Sequence, residues 1–201
     1  MTREAAPDDV VRRMCAGDTE AFRLVYRWVQ PPLLRYLEVL VGREDAEDVA
    51  SETWAQAVRD LGRFHGDADG FRGWITTIGR HRALDLLRRR SRRIRVDRDL
   101  TGVDVADPLD LEVRVAEVLT TEAAIDVIRS LPPDQAEAVM LRAVMGLDAK
   151  TAGAVLGKRP GAVRSAAQRG LRSLEATLDT RPDSLLEARD TFRPSGAEGV
   201  R

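Results

Sequence analysis

The chain has 201 residues, 43% of them hydrophobic but only 4% aromatic, a composition that favours small helical packing units and predicts two modest cores. Charged residues make up 32%, balanced to a formal net charge of -1, and no apolar run approaches the roughly 20 residues of a membrane span, so no membrane insertion is expected. The single Cys15 excludes an internal disulfide, and with only His65 and His81 to join it there is no metal-ligand spacing, so no metal and no other cofactor is expected.

The opening MTREAAPDDVV is acidic and lacks the basic start and apolar core of a secretion signal, which predicts a cytoplasmic protein. Asp8 is positioned to cap a short helix ending at Gly17. Asp18 is positioned to cap a second through Trp28, and Pro31 and Pro32 restart the chain into LLRYLEVLV, which stops at Gly42. In EDAEDVASETWAQAVRDL the apolar positions Ala50, Trp54, Ala57 and Leu61 recur at spacings of a buried helical stripe. Asp45, Asp48 and Glu52 come out on the other side and give this helix an acidic outer face. GRFHGDADG, residues 62 to 70, reads as a loop.

The next helix, from Phe71, places Phe71, Trp74, Ile75, Ile78 and Leu86 on one stripe, with Arg82 and Asp85 on the same stripe as a buried ion pair. It runs into six arginines in the eight positions from Arg88 to Arg95. Like charges three and four apart on a helix repel, so this block calls for an anion among them. The compensating acids follow: Val96 to Val118 holds seven, against Arg98 and Arg114. Residues 96–110, with Gly102 and Pro108 and no apolar periodicity, read as a flexible acidic linker.

A second helical unit then opens with a helix near Leu111 to Arg129. Pro132 and Pro133 end it and start another over Gln135 to Met145, closed by Gly146. DAKTAGAVLGKRPGAVRSAAQRGLRSL, residues 148 to 174, reads as a short helix capped by Asp148, a tight turn at Gly157, and a longer helix entered at Pro160. In that second helix Val163, Ala167, Gly170, Leu171 and Leu174 share one face; Arg164, Ser165, Gln168, Arg169 and Arg172 share the opposite one. A basic outer face with long hydrogen-bonding side chains suits a DNA major groove, where arginine and glutamine read base edges. Residues from Asp179 onward read as a mostly disordered tail.

Together these motifs resemble an RNA polymerase sigma factor of the extracytoplasmic-function (ECF) group, over roughly residues 8 to 178. DAEDVASETW resembles the family's region 2.2, FRGWITTIGRHRALDLLRRRSRR its regions 2.3 and 2.4, LPPDQAEAVMLRAVMGL its region 4.1, and the helix-turn-helix its region 4.2, in the family's order. The resemblance implies an all-α chain: a region 2 bundle over 8–95, the linker over 96–110, a region 4 helix-turn-helix over 111–178, and the tail over 179–201. It implies that Asp45, Asp48 and Glu52 meet the clamp helices of the polymerase core, on its beta-prime subunit. It implies that Arg63, His65 and Asp67 in the loop, with Arg80, Arg88, Arg89, Arg92 and Arg93, serve the promoter minus-10 element, where a base is flipped out. Arg159, Arg164, Ser165, Gln168, Arg169 and Arg172 would serve minus-35, and an anti-sigma factor would be a further partner.

The chain departs from the family pattern at Lys150-Thr151-Ala152, where Glu-Ile-Ala is usual, and at Arg159, which replaces the usual Ser or Thr cap. A stand-alone helix-turn-helix regulator is the alternative, but it would leave the motif-bearing first half without a use. An enzyme built on Asp45, Asp48, His65 and His81 is not supported by their spacing. A basic block neutralising five phosphates predicts that the logarithm of promoter affinity falls with the logarithm of salt concentration at a slope near about -4.5. Titrating the polymerase-bound protein with promoter DNA between 50 and 200 mM salt measures that slope.

Overall fold

Helix α1 (Asp8–Cys15) turns Val10, Val11 and Met14 inward, and its first residue caps a different helix from the expected one. Asp8 Oδ1 accepts the backbone N–H of Ala68 at 3.0 Å, sixty residues away, so the cap fastens the chain start to the far side of the first unit. The structure is a computed structural model that describes residues 8–94 and 122–180. The linker expected over 96–110 and the tail beyond Thr180 lie outside the described residues.

Helix α2 (Thr19–Val41) starts where expected, with Asp18 Oδ1 accepting from Glu20 N at 2.9 Å and Ala21 N at 3.1 Å. It does not stop at Trp28. The helix runs through Pro31 and Pro32, although each removes a backbone donor and costs roughly 3 kcal/mol in a helix interior. Burial of Val25, Val29, Leu33, Tyr36 and Leu37 along its whole length overrides that local preference. Helix α3 (Arg43–Asp60) buries Ala46, Val49, Ala50, Thr53, Trp54 and Ala57, the expected stripe with its neighbours. A single 3-10 turn (Leu61–Arg63) leads to the loop, and helix α4 (Ala68–Ile94) begins three residues earlier than Phe71. Asp67 accounts for that early start: its carbonyl accepts from Phe71 N at 2.9 Å and its Oδ1 from Gly70 N at 2.7 Å.

The second unit is built from α5 (Glu122–Arg129), α6 (Pro133–Val139), α7 (Ala149–Leu156) and α8 (Pro160–Thr180). The regular helix expected over Gln135 to Met145 gives way after Val139 to a wide π turn over Met140–Val144. Met145 N–H bonds back five residues to the Met140 carbonyl, and Leu147 N–H six residues to Leu141. Gly157 in the left-handed region closes α7, and Lys158 N–H returns to the Gly153 carbonyl at 2.9 Å, giving the tight turn before α8.

The two cores expected from the sequence are continuous: the buried residues of both units form one cluster. Helix α4 is the shared wall. One face carries Phe71, Ile75 and Ala83 toward the first unit. The adjacent face carries Arg72, Gly73, Thr76 and Arg80, and the second unit covers it. Arg72 Nη1 donates to the Met145 carbonyl at 3.2 Å, and its guanidinium lies 4.8 Å from the Trp28 ring centre. The Met145 carbonyl is one of those a helix end leaves without a partner, so the arginine satisfies it. Arg80 Nε donates to Glu137 Oε2 at 2.8 Å, with 20% and 13% of the two side chains exposed.

Tyr36 lies fully buried beside that pair. Its hydroxyl makes no hydrogen bond of good geometry, and burial pushes its pKa well above the ordinary phenol value, with Glu137 adding to the rise and Arg80 opposing it. Burial alone would lower the Arg80 guanidinium, but the hydrogen bond and charge of Glu137 outweigh it and raise the group.

The turn between α7 and α8 depends on glycine at one close approach. A Cβ on Gly153 would stand 2.6 Å from the Lys158 carbonyl oxygen, a backbone atom, whereas one on Gly161 meets nothing within 4 Å. Gly153→Ala should therefore lower stability by about 1–3 kcal/mol in urea unfolding. Gly161→Ala should leave it unchanged or raise it by up to about 1 kcal/mol through helix propensity.

Candidate nucleic-acid interface

The arginine-rich end of α4 leaves the bundle and faces water. Arg88, Arg89 and Arg90 are exposed, while Arg92 and Arg93 continue the helix with side chains outside the described set. Two acids moderate the block: Asp85 Oδ1 accepts from Arg88 at 2.9 Å, and Asp45 Oδ1 accepts from Arg90 at 2.6 Å. The Asp45 side chain is only 19% exposed, so of the three acids predicted on the outer face of α3 only Asp48 and Glu52 are fully in water. The Arg88–Asp85 pair, with both side chains at least half in water, is worth about 0–1 kcal/mol, so a denser anion exchanges for it readily.

The buried Arg82–Asp85 pair expected from the sequence does not form. Arg82 Nη2 donates to Gln56 Oε1 at 2.7 Å instead, and Asp85 turns outward to Arg88. Spacing on one helix placed the two on one stripe, but a neutral amide on α3 satisfies Arg82 without burying a second charge. Gln56 also accepts from Arg59 and donates to Asp60. Around this network lies an open hollow of about 340 Å³ lined by Gln56, Asp60, Trp74, Ile78, His81, Arg82 and Asp85. The sequence reading missed Gln56 and Asp60 here; their spacing of four on α3 was the available signal.

In the loop, Arg63, His65 and Asp67 are exposed, with Arg63 Nη1 3.8 Å from Asp60 Oδ1 and Asp67 engaged as the α4 cap. Phe64 instead folds inward between Phe71 and Trp74, with ring centres 5.4 and 5.1 Å away, and so fixes the loop against the bundle. Arg80, the remaining residue placed at the minus-10 site, is held by Glu137 in this arrangement. Also not read from the sequence are three exposed large hydrophobic side chains, Leu24, Tyr26 and Val58, with the Tyr26 ring 4.8 Å from Trp54.

On the helix-turn-helix, Asp148 Oδ1 accepts from Thr151 N at 2.7 Å and fixes the start of α7. Arg159 occupies the capping position of α8 through its carbonyl, which accepts from Val163 N at 3.2 Å, leaving its side chain exposed. Arg164 is exposed; Ser165, Arg169 and Arg172 are half-buried, with Ser165 Oγ donating to the Gly161 carbonyl at 3.1 Å. Gln168 departs from the expected outer face: it is 4% exposed, and neither amide atom has a partner among the described residues. On a helix it stands only about 60 degrees from Leu171, at the edge of the buried stripe, and the burial extends over it.

Among the described residues no helix is long and apolar enough to cross a membrane, and no group of three His, Cys, Asp or Glu side chains could hold a metal ion.

The arrangement of a helical bundle with an arginine-tipped helix, followed by a helix-turn-helix, is that of a two-part promoter-recognition protein. Residues 25–93 match the sigma-70 region 2 family and residues 121–174 match sigma-70 region 4. The chain is 33% identical to the ECF RNA polymerase sigma factor ShbA of Streptomyces griseus, over 85% of this chain and 94% of that protein. It is also 33% identical to the ECF RNA polymerase sigma factor BldN of Streptomyces coelicolor, over 85% of this chain but only 65% of that protein's length. Among solved structures, the fold is similar to Bartonella quintana RpoE, solved in complex with the anti-sigma factor NepR. The TM-score there is 0.60 at 20% identity, over 81% of this chain and 99% of that one. CnrH, solved with the cytosolic domain of CnrY, gives 0.58 at 23% identity, over 87% and 98%. The chain belongs to the sigma-70 family, in its ECF group.

The Asp148 carboxyl is held below its ordinary range by hydrogen bonds from Thr151, side chain and then backbone N–H. A carboxyl depressed in the folded state contributes stability above its unfolded value, near pH 3.9, and loses that contribution as pH falls through the folded value. Asp148→Asn keeps the cap but cannot titrate. Urea midpoints should show the parent ahead of the variant at pH 6, with that lead vanishing as the pH is taken below about 3.9.

Proposed function

We propose that this chain binds the RNA polymerase core and directs promoter-specific transcription initiation, as a cytoplasmic factor without catalytic activity of its own. The observation that carries this reading is the ordered pair of region 2 and region 4 matches, with an exposed arginine-rich helix end on the first and a basic helix-turn-helix on the second. Asp48 and Glu52, with Asp45 at the rim, face the clamp helices of the beta-prime subunit. Arg63, His65 and Asp67 with Arg80, Arg88, Arg89, Arg92 and Arg93 engage the minus-10 element. Arg159 and Arg164 lead the minus-35 contact, with Ser165, Gln168, Arg169 and Arg172 behind them.

Physical chemistry supports this division of labour. A duplex carries one negative charge per about 1.7 Å of axis, so phosphates outcompete the half-exposed Asp85 carboxylate for Arg88. The hollow beside Trp74 offers an aromatic wall, the Gln56 amide and the Asp60 and Asp85 carboxylates for a flipped base, whose extraction costs a few kcal/mol of stacking. An anti-sigma factor, the partner named for RpoE of Bartonella quintana, is the expected regulator.

Transcription in vitro with core polymerase and a promoter library tests the assignment. The parent should yield discrete start sites only when core and this protein are both present; no core-dependent initiation would overturn it. Arg88→Ala with Arg89→Ala should flatten the salt slope of promoter binding by about 2 without changing which sequence is chosen.

A further inference from the structure

Helix α1 has eight residues, a length that is marginal in water by itself, so its shape depends on what it is fastened to. Two polar fastenings hold it. At its last turn Arg13 donates through Nε and Nη2 to Asp18 Oδ2 at 2.9 and 2.6 Å, while the other oxygen of that carboxylate caps α2. At its first turn Asp8 Oδ1 accepts the Ala68 N–H at 3.0 Å. Val11 and Met14 lie between the two with 0% and 1% exposure, so the backbone that carries Asp8 is fixed by the core of the first unit.

Ala68 begins α4 and ends the exposed stretch His65-Gly66-Asp67, which is assigned above, with Arg63, to the minus-10 element. Phe64 pins one end of that stretch, its ring packed between Phe71 and Trp74. A Cβ on Gly66 would stand 2.9 Å from Phe64 Cζ, so the backbone passes closely over the ring. At the other end the first amides of α4, which the helix itself leaves without partners, are divided between two carboxylates. Asp67 takes the Gly70 N–H at 2.7 Å, and Asp8, from a different helix, takes that of Ala68. The exit of the loop is therefore held by a residue sixty positions away.

We propose that Asp8 is a positioning residue for base reading at minus-10. By holding the Ala68 amide it fixes the direction in which the loop joins α4, and with it the placing of His65 and Asp67 against the base. The inference rests on the assignment of this loop to the minus-10 element. An electrostatic role has the opposite sign: a carboxylate near phosphates repels them, so loss of its charge alone strengthens DNA binding.

Initiation by the full chain with core polymerase, on a promoter recovered by the transcription assay above, separates the two. Asp8→Ala removes the acceptor, Asp8→Asn keeps an oxygen acceptor and removes the charge, and Asp8→Glu keeps the charge and displaces the oxygen by one methylene. Asp8→Ala should slow initiation about fivefold, the size of one lost cap, and Asp8→Glu should slow it in the same direction. Asp8→Asn should stay within about twofold of the parent, as should Asp9→Ala, which removes a charge from the exposed neighbour. An abasic nucleotide is then walked through the non-template strand of the minus-10 element. Where the parent loses most, Asp8→Ala should add no further loss, because the base it helps to place is already gone; at the other positions the two losses should multiply.

An Asp8→Ala protein as fast as the parent, an Asp8→Asn protein as slow as Asp8→Ala, or losses that multiply at every abasic position overturns the positioning role. A parent indifferent to every abasic position overturns the loop assignment and takes this inference with it. A parent that starts no transcript with core overturns the transcription reading as a whole.

Discussion

The arrangement of the two units depends on the ion pair between Arg80 and Glu137, a contact of opposite charges across α4 that leaves only 20% and 13% of the two side chains exposed. Such a pair adds little net stability, since desolvating two charges offsets most of their attraction, but removing one partner alone costs roughly 3–5 kcal/mol. It therefore acts on specificity more than on strength. It dictates that α6 faces this turn of α4 and no other, while the apolar cluster on both sides supplies the bulk of the burial energy. Separating the units as whole bodies returns both charges to water together, so the contact is reversible in a way that a point substitution is not.

How far the sequence disclosed the fold depended on the range of the interaction. Periods of three and four exposed the stripes of α3 and α4, and local hydrogen bonds made Asp18, Asp148 and Gly157 readable as helix ends. Those signals live within one turn of helix. Asp8 misled because its hydrogen-bond partner, Ala68, lies sixty residues on. The prolines of α2 misled because local cost was outweighed by burial along the whole helix. Arg82 misled because its partner, Gln56, sits on another helix. The errors at Asp8 and Arg82 have the same root: a side chain chose between a near partner and a far one, and only the near one is visible in a spacing.

Helix α4 shows the same limit in the candidate site. A single apolar stripe implies one buried face and one wet face, and the family resemblance placed Arg80 at promoter DNA. The helix in fact buries two adjacent faces, the second lined by Arg72, Gly73, Thr76 and Arg80, and a polar lining carries no hydrophobic period to detect. The one trace in the sequence was indirect. Thr151 in place of the usual isoleucine was noticed as an anomaly of the helix-turn-helix, and the structure explains it as a fit to Gly73 on the other unit.

The two ends of α4 thus hold their arginines by contacts of different strength, and this orders the events of binding. At the exposed end Arg88 rests on Asp85, a carboxylate half in water and a pair worth about 1 kcal/mol or less, while Arg90 rests on the more sheltered Asp45, and neither pair involves the second unit. At the covered end Arg80 is held by Glu137 and Arg72 by the Met145 carbonyl of the second unit, with Asp69 of its own helix as a further partner. On the proposed reading, a first encounter with DNA engages the tip of the helix, where Arg88, Arg89 and Arg90 are exposed. Engagement of Arg80 by a phosphate then requires Glu137 to give way, whereas engagement of Arg88 requires only the loss of Asp85 from the same helix.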